Sequence, residues 1–156
     1  MESEAYCWRL DMAEAVQQAG TLAWQEYGSG NAGGMGEHVA DPLAHGDSVL
    51  ARKDAPSSYH LASCVDDARL GVTDIVRGAD LRLSTDVHRL LQALLGWNTP
   101  RYHHHRLICG ADSRRLAKRD QAAALSIWKD AGMDGKVLAE QLRQSTLPAG
   151  YSLQQA

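Results

Sequence analysis

The stretch Val72-Thr73-Asp74-Ile75-Val76-Arg77-Gly78-Ala79-Asp80 decides the fold class when it is read with Ser84-Thr85 and Tyr102-His103-His104-His105-Arg106-Leu107-Ile108-Cys109 downstream. Residues 72–76 are mostly β-branched and run into Arg77-Gly78, so they read as a strand. Ser84 or Thr85 then caps a helix in which Val87, Leu90, Leu91, Leu94 and Leu95 recur at i, i+3, i+4, i+7 and i+8, until Gly96 stops it. That face is core. After a turn at Asn98-Thr99-Pro100, residues 102–109 form a second strand, turned by Gly110-Ala111-Asp112-Ser113. A strand, an amphipathic helix and a strand of these lengths make a parallel crossover, which implies an α/β fold. Both strands then run the same way, and their carboxyl ends share the sheet edge where open α/β folds bind ligands.

Outward from this unit the signals are shorter. Residues 12–19 favour helix with Gly20 as cap, and residues 21–27 form a strand around Trp24. The loop 28–36 carries Gly28, Gly30, Gly33, Gly34 and Gly36. Residues 48–52 alternate as a strand turned by Asp54-Ala55-Pro56, and Ser57 or Ser58 caps a helix over 59–69 closed by Gly71. Two short helices, 121–131 and 135–144, complete the chain before a frayed end after Pro148.

Composition bounds the class. With 156 residues, 44% hydrophobic and 22% charged, the chain has a globular composition and room for one domain of ordinary size. The apolar run 90–97 is broken by Gln92 and Gly96 and is far too short to span a bilayer, so no membrane partner is expected. Glu2 and Glu4 stand where a signal peptide would need basic residues. Cys7, Cys64 and Cys109 are odd in number and widely spaced, which argues against a disulfide framework and against a metal clip; a reducing cytoplasm is expected. A net charge of -3 excludes nucleic-acid binding by bulk charge while leaving room for a local basic site. Such a site is legible: Arg77 follows the first strand of the crossover, and Arg114, Arg115, Lys118 and Arg119 follow the second. Guanidinium and ammonium groups at that edge suit a carboxylate or a phosphate.

Ordered motifs carry a family resemblance. Gly46-Asp47-Ser48-Val49-Leu50-Ala51-Arg52-Lys53-Asp54, Ser58-Tyr59-His60-Leu61-Ala62, Val65-Asp66-Asp67-Ala68, the stretch 71–81 and Arg115-Leu116-Ala117-Lys118-Arg119 together resemble the second half of the catalytic domain of class I glutamyl-tRNA synthetases. More narrowly they resemble the glutamyl-Q tRNA(Asp) synthetases, paralogues that lack an anticodon-binding domain and attach glutamate to queuosine in tRNA(Asp). The resemblance implies half of a Rossmann-like catalytic domain with a short helical carboxyl-terminal tail. It divides the chain into the end of a connecting insertion at 1–45, the half-domain at 46–120 and the tail at 121–156.

It also implies roles. Arg115, Leu116, Ala117, Lys118 and Arg119 take the place of the KMSKS signature, with Lys118 as the catalytic cation that neutralises ATP phosphate charge while the glutamate carboxylate attacks. Arg115 and Ala117 depart from the strict pattern: Arg keeps the charge, and Ala removes a hydroxyl donor. Tyr59 and Arg77 match the residues that hold glutamate, and His104 matches a histidine lining the ATP side. The implied ligands are glutamate, ATP with Mg, and tRNA, with tRNA(Asp) favoured; zinc is not expected in this chain.

Other conspicuous residues read more plainly. On a strand His103 and His105 face one side and His104 the other, so the three cannot jointly chelate a metal. Asp66 and Asp67 diverge by about 100° on a helix and do not form an acid/base pair. Gly28-Ser29-Gly30-Asn31-Ala32-Gly33 formally matches GxGxxG, yet Gly34, Gly36 and Pro42 replace the helix that a dinucleotide turn requires. Cys64 and Cys109 fit small buried core residues.

No HIGH-like signature and no cysteine cluster of the family's zinc insertion occur in these residues, so the chain is expected to lack the first half-domain. Three functional expectations follow: part of an enzyme that activates glutamate with ATP and transfers it to queuosine of tRNA(Asp), part of a glutamyl-tRNA synthetase acting on tRNA(Glu), or an inactive remnant that binds tRNA or protein.

Overall fold

The computed structural model describes residues 6–28, 34–117 and 124–154. Lys118, Arg119 and the middle of the glycine loop lie outside them. Contacts divide the chain into two compact units, one up to His105 and one from Arg106 onward.

In the first unit the order is β1 (Trp8–Leu10), α1 (Met12–Ala19), β2 (Ala23–Glu26), β3 (Gly36–Val39), a 3-10 turn (Pro42–His45), β4 (Ser48–Ala51), α2 (Tyr59–Leu70), β5 (Asp74–Gly78), a second 3-10 turn (Ala79–Leu81), α3 (Ser84–Leu94) and β6 (Arg101–His105). The strand, helix, strand unit forms: β5 and β6 pair in parallel from Asp74 opposite Arg101 to Gly78 opposite His105. The sheet order is β3-β2-β6-β5, with β2 parallel to β6 and β3 antiparallel at one edge. A separate antiparallel pair joins β1 to β4. The fold is α/β, as the crossover implies.

Helices start and stop largely where their sequence dictates. The Asp11 carboxylate accepts from the Glu14 amide at the start of α1, and the Ser58 hydroxyl accepts from the Leu61 amide at the start of α2, which Gly71 ends in a left-handed conformation. Helix α3 begins differently. The preceding 3-10 turn runs almost directly into it, so Leu83 at the cap position is already helical, and neither Ser84 nor Thr85 caps it. The Thr85 amide instead bonds the Arg82 carbonyl, which frees its hydroxyl for the site described below. At the other end Leu95 is 46% exposed rather than core. Gly96, at φ 69°, reverses the chain there, and the Trp97 amide bonds back to the Gln92 carbonyl; Trp97 packs on the core in its stead.

The apolar core lies among α1, α2 and α3: Met12, Ala15, Cys64, Val87, Leu90 and Leu91 are buried against one another. Cys64 and Cys109 are buried as expected, and burial pushes the Cys64 thiol up to about 12. The glycine loop joins β2 to the antiparallel β3 rather than to a helix, which removes the setting a dinucleotide turn needs. Gly28 itself is required: its φ is 79°, and a Cβ there would come within 2.9 Å of His103 Nδ1.

In the second unit the expected strand over 102–109 is interrupted after His105, and β7 (Ile108–Cys109) pairs antiparallel with β8 (Ser152–Leu153) in what was expected to be a frayed end. The Gln154 amide extends that ladder to the Leu107 carbonyl. Helices α4 (Leu125–Asp130) and α5 (Gly135–Arg143) lie between β7 and β8 in the chain, where two short helices were expected. Among the described residues no helix is long and apolar enough to cross a membrane.

Candidate functional site

Alternation along three parallel strands sends Trp24 and Glu26 of β2, Tyr102 and His104 of β6, and Arg77 of β5 toward α3. Towards the start of α3 this inner face is polar. Thr85 and His104 are fully buried, His88 is 1% exposed and Glu26 2%. Buried polar groups must find partners, and these find one another around Arg77.

Each nitrogen of the Arg77 guanidinium has one protein partner. Nε donates to His104 Nε2 at 3.2 Å, one terminal nitrogen to His88 Nδ1 at 3.3 Å, and the other to the Thr85 hydroxyl oxygen at 2.6 Å. The Tyr102 ring lies under the group, 5.2 Å from centroid to Cζ. Glu26 closes the network from behind, accepting from the His104 amide at 2.7 Å and from His104 Nδ1 at 2.6 Å.

Donor and acceptor accounting assigns the tautomers. His104 Nδ1 carries a proton for Glu26, so its Nε2 lone pair is shared by Arg77 and by the Thr85 hydroxyl, 3.0 Å away. The ring is a neutral imidazole. Desolvation holds its pKa below the ordinary histidine value; Glu26 pulls it up, while Arg77 and Arg82 push it down. His88 accepts at Nδ1, which leaves its Nε2 proton to donate to His60 Nδ1 at 3.1 Å. Burial, with the charges of Arg77, His60 and His45, lowers His88 to about 3.

Tyr59 and Arg77, the two residues the resemblance pairs, meet at His88: the Tyr59 ring centroid is 5.7 Å from that of His88, which in turn bonds Arg77. Tyr59 is 53% exposed, and with His60 it lines a cleft of about 720 Å³ whose other walls include His45, Arg52, Lys53 and Asp54. Arg52 and Asp54 neutralise each other through two hydrogen bonds of 2.9 and 2.7 Å.

His104 is held inside the sheet face. Both ring nitrogens are engaged and the residue is fully buried, so the contact with nucleotide expected of it has no free ring nitrogen to make it. His103 and His105 do fall on the strand side opposite His104, and His103 donates to the Tyr27 carbonyl at 2.7 Å. Asp66 is exposed and Asp67 half-buried. Glu26, Thr85 and His88 were not picked out as site residues. Glu26 is two residues from Trp24 on one strand face, and Thr85, His88 and Gln92 flank the apolar stripe of α3 at helical spacing, the signal that could have found them.

In the second unit the turn before the signature-like stretch is tight. The Gly110 amide bonds the Arg114 carbonyl, Ser113 has φ 59°, and the Leu116 amide bonds the Ile108 carbonyl. Arg115 is thereby bridged to Cys109. Leu116 and Ala117 follow, and Lys118 and Arg119 lie outside the described residues.

The profile described as tRNA synthetases class I (E and Q), catalytic domain, matches residues 35–152. The chain belongs to this family. Among relatives of this synthetase chain, a glutamyl-Q tRNA(Asp) synthetase of Rhodobacter capsulatus is 52% identical over 89 residues, 57% of this chain and 32% of its own. A glutamate–tRNA ligase of Thermus thermophilus is 36% identical over 107 residues, 69% of this chain and 22% of its own. A crystal structure of a glutamate tRNA ligase from Elizabethkingia meningosepticum, in complex with its amino acid, superposes with a TM-score of 0.52 and 26% identity over 65% of this chain and 19% of the other. The synthetase chain thus spans about a third of the Rhodobacter relative's length.

Proposed function

We propose that this chain supplies the carboxyl-terminal part of the catalytic domain of an enzyme that activates glutamate with ATP and transfers it to queuosine of tRNA(Asp). The observation that carries the reading is Arg77. Its positive charge meets three neutral acceptors, and no carboxylate hydrogen-bonds it among the described residues. A guanidinium so held has charge to spare for the carboxylate of an acidic amino acid, and a neutral amide gains less from it. Tyr59, linked to it through His88, lines the neighbouring cleft with His60.

In this reading Lys118 stabilises the charge that develops as a carboxylate oxygen of glutamate attacks the α-phosphorus of ATP and pyrophosphate leaves. Arg115, Leu116, Ala117 and Arg119 of the same signature-like stretch are assigned to ATP with it. Mg accompanies the ATP phosphates. Among the described residues no group of three His, Cys, Asp or Glu is arranged to hold a metal ion, and no step is assigned to one held by this chain. The names of the more similar relatives favour tRNA(Asp) over tRNA(Glu); the Thermus ligase keeps tRNA(Glu) as the second reading.

The test is glutamate-dependent ATP–pyrophosphate exchange by the chain mixed with the amino-terminal part of the Rhodobacter relative. Lys118→Ala is expected to lower exchange by about 100-fold or more. A soluble mixture without exchange would count against the reading. Radiolabelled glutamate supplied with queuosine-containing tRNA(Asp) and with tRNA(Glu) distinguishes the two acceptors.

A further inference from the structure

The guanidinium of Arg77 has five N–H groups, and three are taken by His104, His88 and Thr85. One N–H therefore remains on each terminal nitrogen, the pair that can grip a carboxylate with two parallel hydrogen bonds. Which hydrogens remain depends on the acceptors behind. His104 is itself fixed by Glu26, and Thr85 by the fully buried start of α3. His88 is the acceptor on the remaining terminal nitrogen, and it also touches Tyr59 and hydrogen-bonds His60 on the cleft wall.

We propose that His88 is a positioning residue that sets this synthetase's preference for an acidic over an amide amino acid, by holding Arg77 through a neutral nitrogen lone pair. A carboxylate in its place would cancel the charge that the substrate needs, and an aliphatic residue would let the guanidinium turn. Burial, which lowers His88 to about 3, keeps that lone pair free throughout the neutral range. Around the ring stand Arg77 of β5, His60 and Tyr59 of α2, and, further off, His45 of the 3-10 turn; the half-buried Asp67 of α2 acts electrostatically on Arg77, not through a hydrogen bond. Cys64 adds a contact to the His88 carbonyl at 3.9 Å, on the backbone side rather than the ring. This inference rests on the assignment of Arg77 to substrate binding, and its test separates the two.

The experiment uses the 156-residue chain labelled with nitrogen-15. Long-range proton–nitrogen spectra at pH 7 read the tautomer of His88, and the exchange of the Arg77 terminal nitrogens reads rotation of the guanidinium. The expected result is a neutral ring protonated at Nε2, with slow guanidinium rotation that becomes fast in His88→Leu. It is restored by His88→Asn, whose side-chain oxygen can take the place of Nδ1. Titration of the chain mixed with the amino-terminal part of the Rhodobacter relative, with L-glutamate and with L-glutamine, gives the second readout: His88→Leu loses about 10-fold in glutamate affinity, His88→Asn recovers most of it, and glutamine is little affected. A general loss of packing would weaken both ligands and would not be rescued by Asn. An imidazolium or an Nδ1-protonated ring at His88, or an unchanged Arg77 in His88→Leu, overturns the proposal. Slow, His88-dependent rotation of Arg77 in a chain that binds no glutamate even when mixed with the amino-terminal part of the Rhodobacter relative would leave the positioning intact and count instead against the assignment of Arg77 to substrate.

Discussion

Helix α3 faces two interiors of opposite character. Through Val87, Leu90 and Leu91 it meets Met12, Ala15 and Cys64 in an apolar cluster; through Thr85 and His88 it meets Arg77 and His104 in a polar one. Both are buried, but they are held together by different rules. The apolar cluster is non-directional, and its contribution scales with area removed from water. The polar cluster contributes little net stability for each bond, yet every bond specifies an orientation, and losing one partner strands another. What the contrast teaches is a division of labour within one helix: one side keeps the unit folded, and the other aims a charge.

That division can be broken from either side. The largest effect is expected from Leu90→Ala, which opens a cavity beneath a fully buried side chain and costs about 3 kcal/mol, within the usual range for such truncations. Urea denaturation would measure it, while the His104 and His88 ring signals of the folded fraction stay in place; ring signals that move with Leu90 would mean that the two interiors are not separable. Glu26→Gln comes next, at about 2 kcal/mol. The amide has one oxygen for two donors, the His104 amide and Nδ1, and so strands one of them. Here the expected signature is a change of the His104 ring together with faster Arg77 rotation, and a loss of stability alone would contradict it.

The smallest effect is reached by titration rather than by mutation. Above the ordinary histidine value near 6.5, His88 is neutral both folded and unfolded and costs nothing. As pH falls from there toward about 3, the unfolded chain takes up a proton that the folded chain refuses. Stability therefore declines with falling pH, by at most about 1.4 kcal/mol per pH unit for this ring. His60 and His104 are lowered as well and act in the same direction. The midpoint of urea denaturation at pH 7 and at pH 5 measures the slope, which His88→Asn is expected to reduce; the same slope in that variant would assign the acid sensitivity to other groups.

The apolar interior is the one that sequence periodicity announces. Val87, Leu90 and Leu91 repeat at helical spacing, Ser58 and Gly71 bracket α2, and β5, α3 and β6 pair as a parallel crossover. The polar interior is hidden by the same logic, because a histidine or glutamate beside an apolar stripe reads as the solvent side of its element. Thr85 was misread for a local reason: a threonine before an apolar run suggests a cap, whereas Leu83 had already entered the helix. β1, β3 and β8 were missed because they are short and mostly exposed, with no clear alternation to betray them. Tyr59 and Arg77 were legible only through motif order. Nothing in their spacing says that His88 stands between them.

The Glu26 bonds to His104 join residues 78 positions apart, and they set an order of events for a growing chain. Helix α3 and its apolar contacts can begin to form from nearer segments, but the arginine has no complete support until β6 has been made and has found β2. Contacts of such long range are slow to close, because the loop entropy is lost before the bonds repay it. A fixed orientation of the Arg77 guanidinium should therefore be the last property of this unit to arrive during folding, after compactness and after helix content.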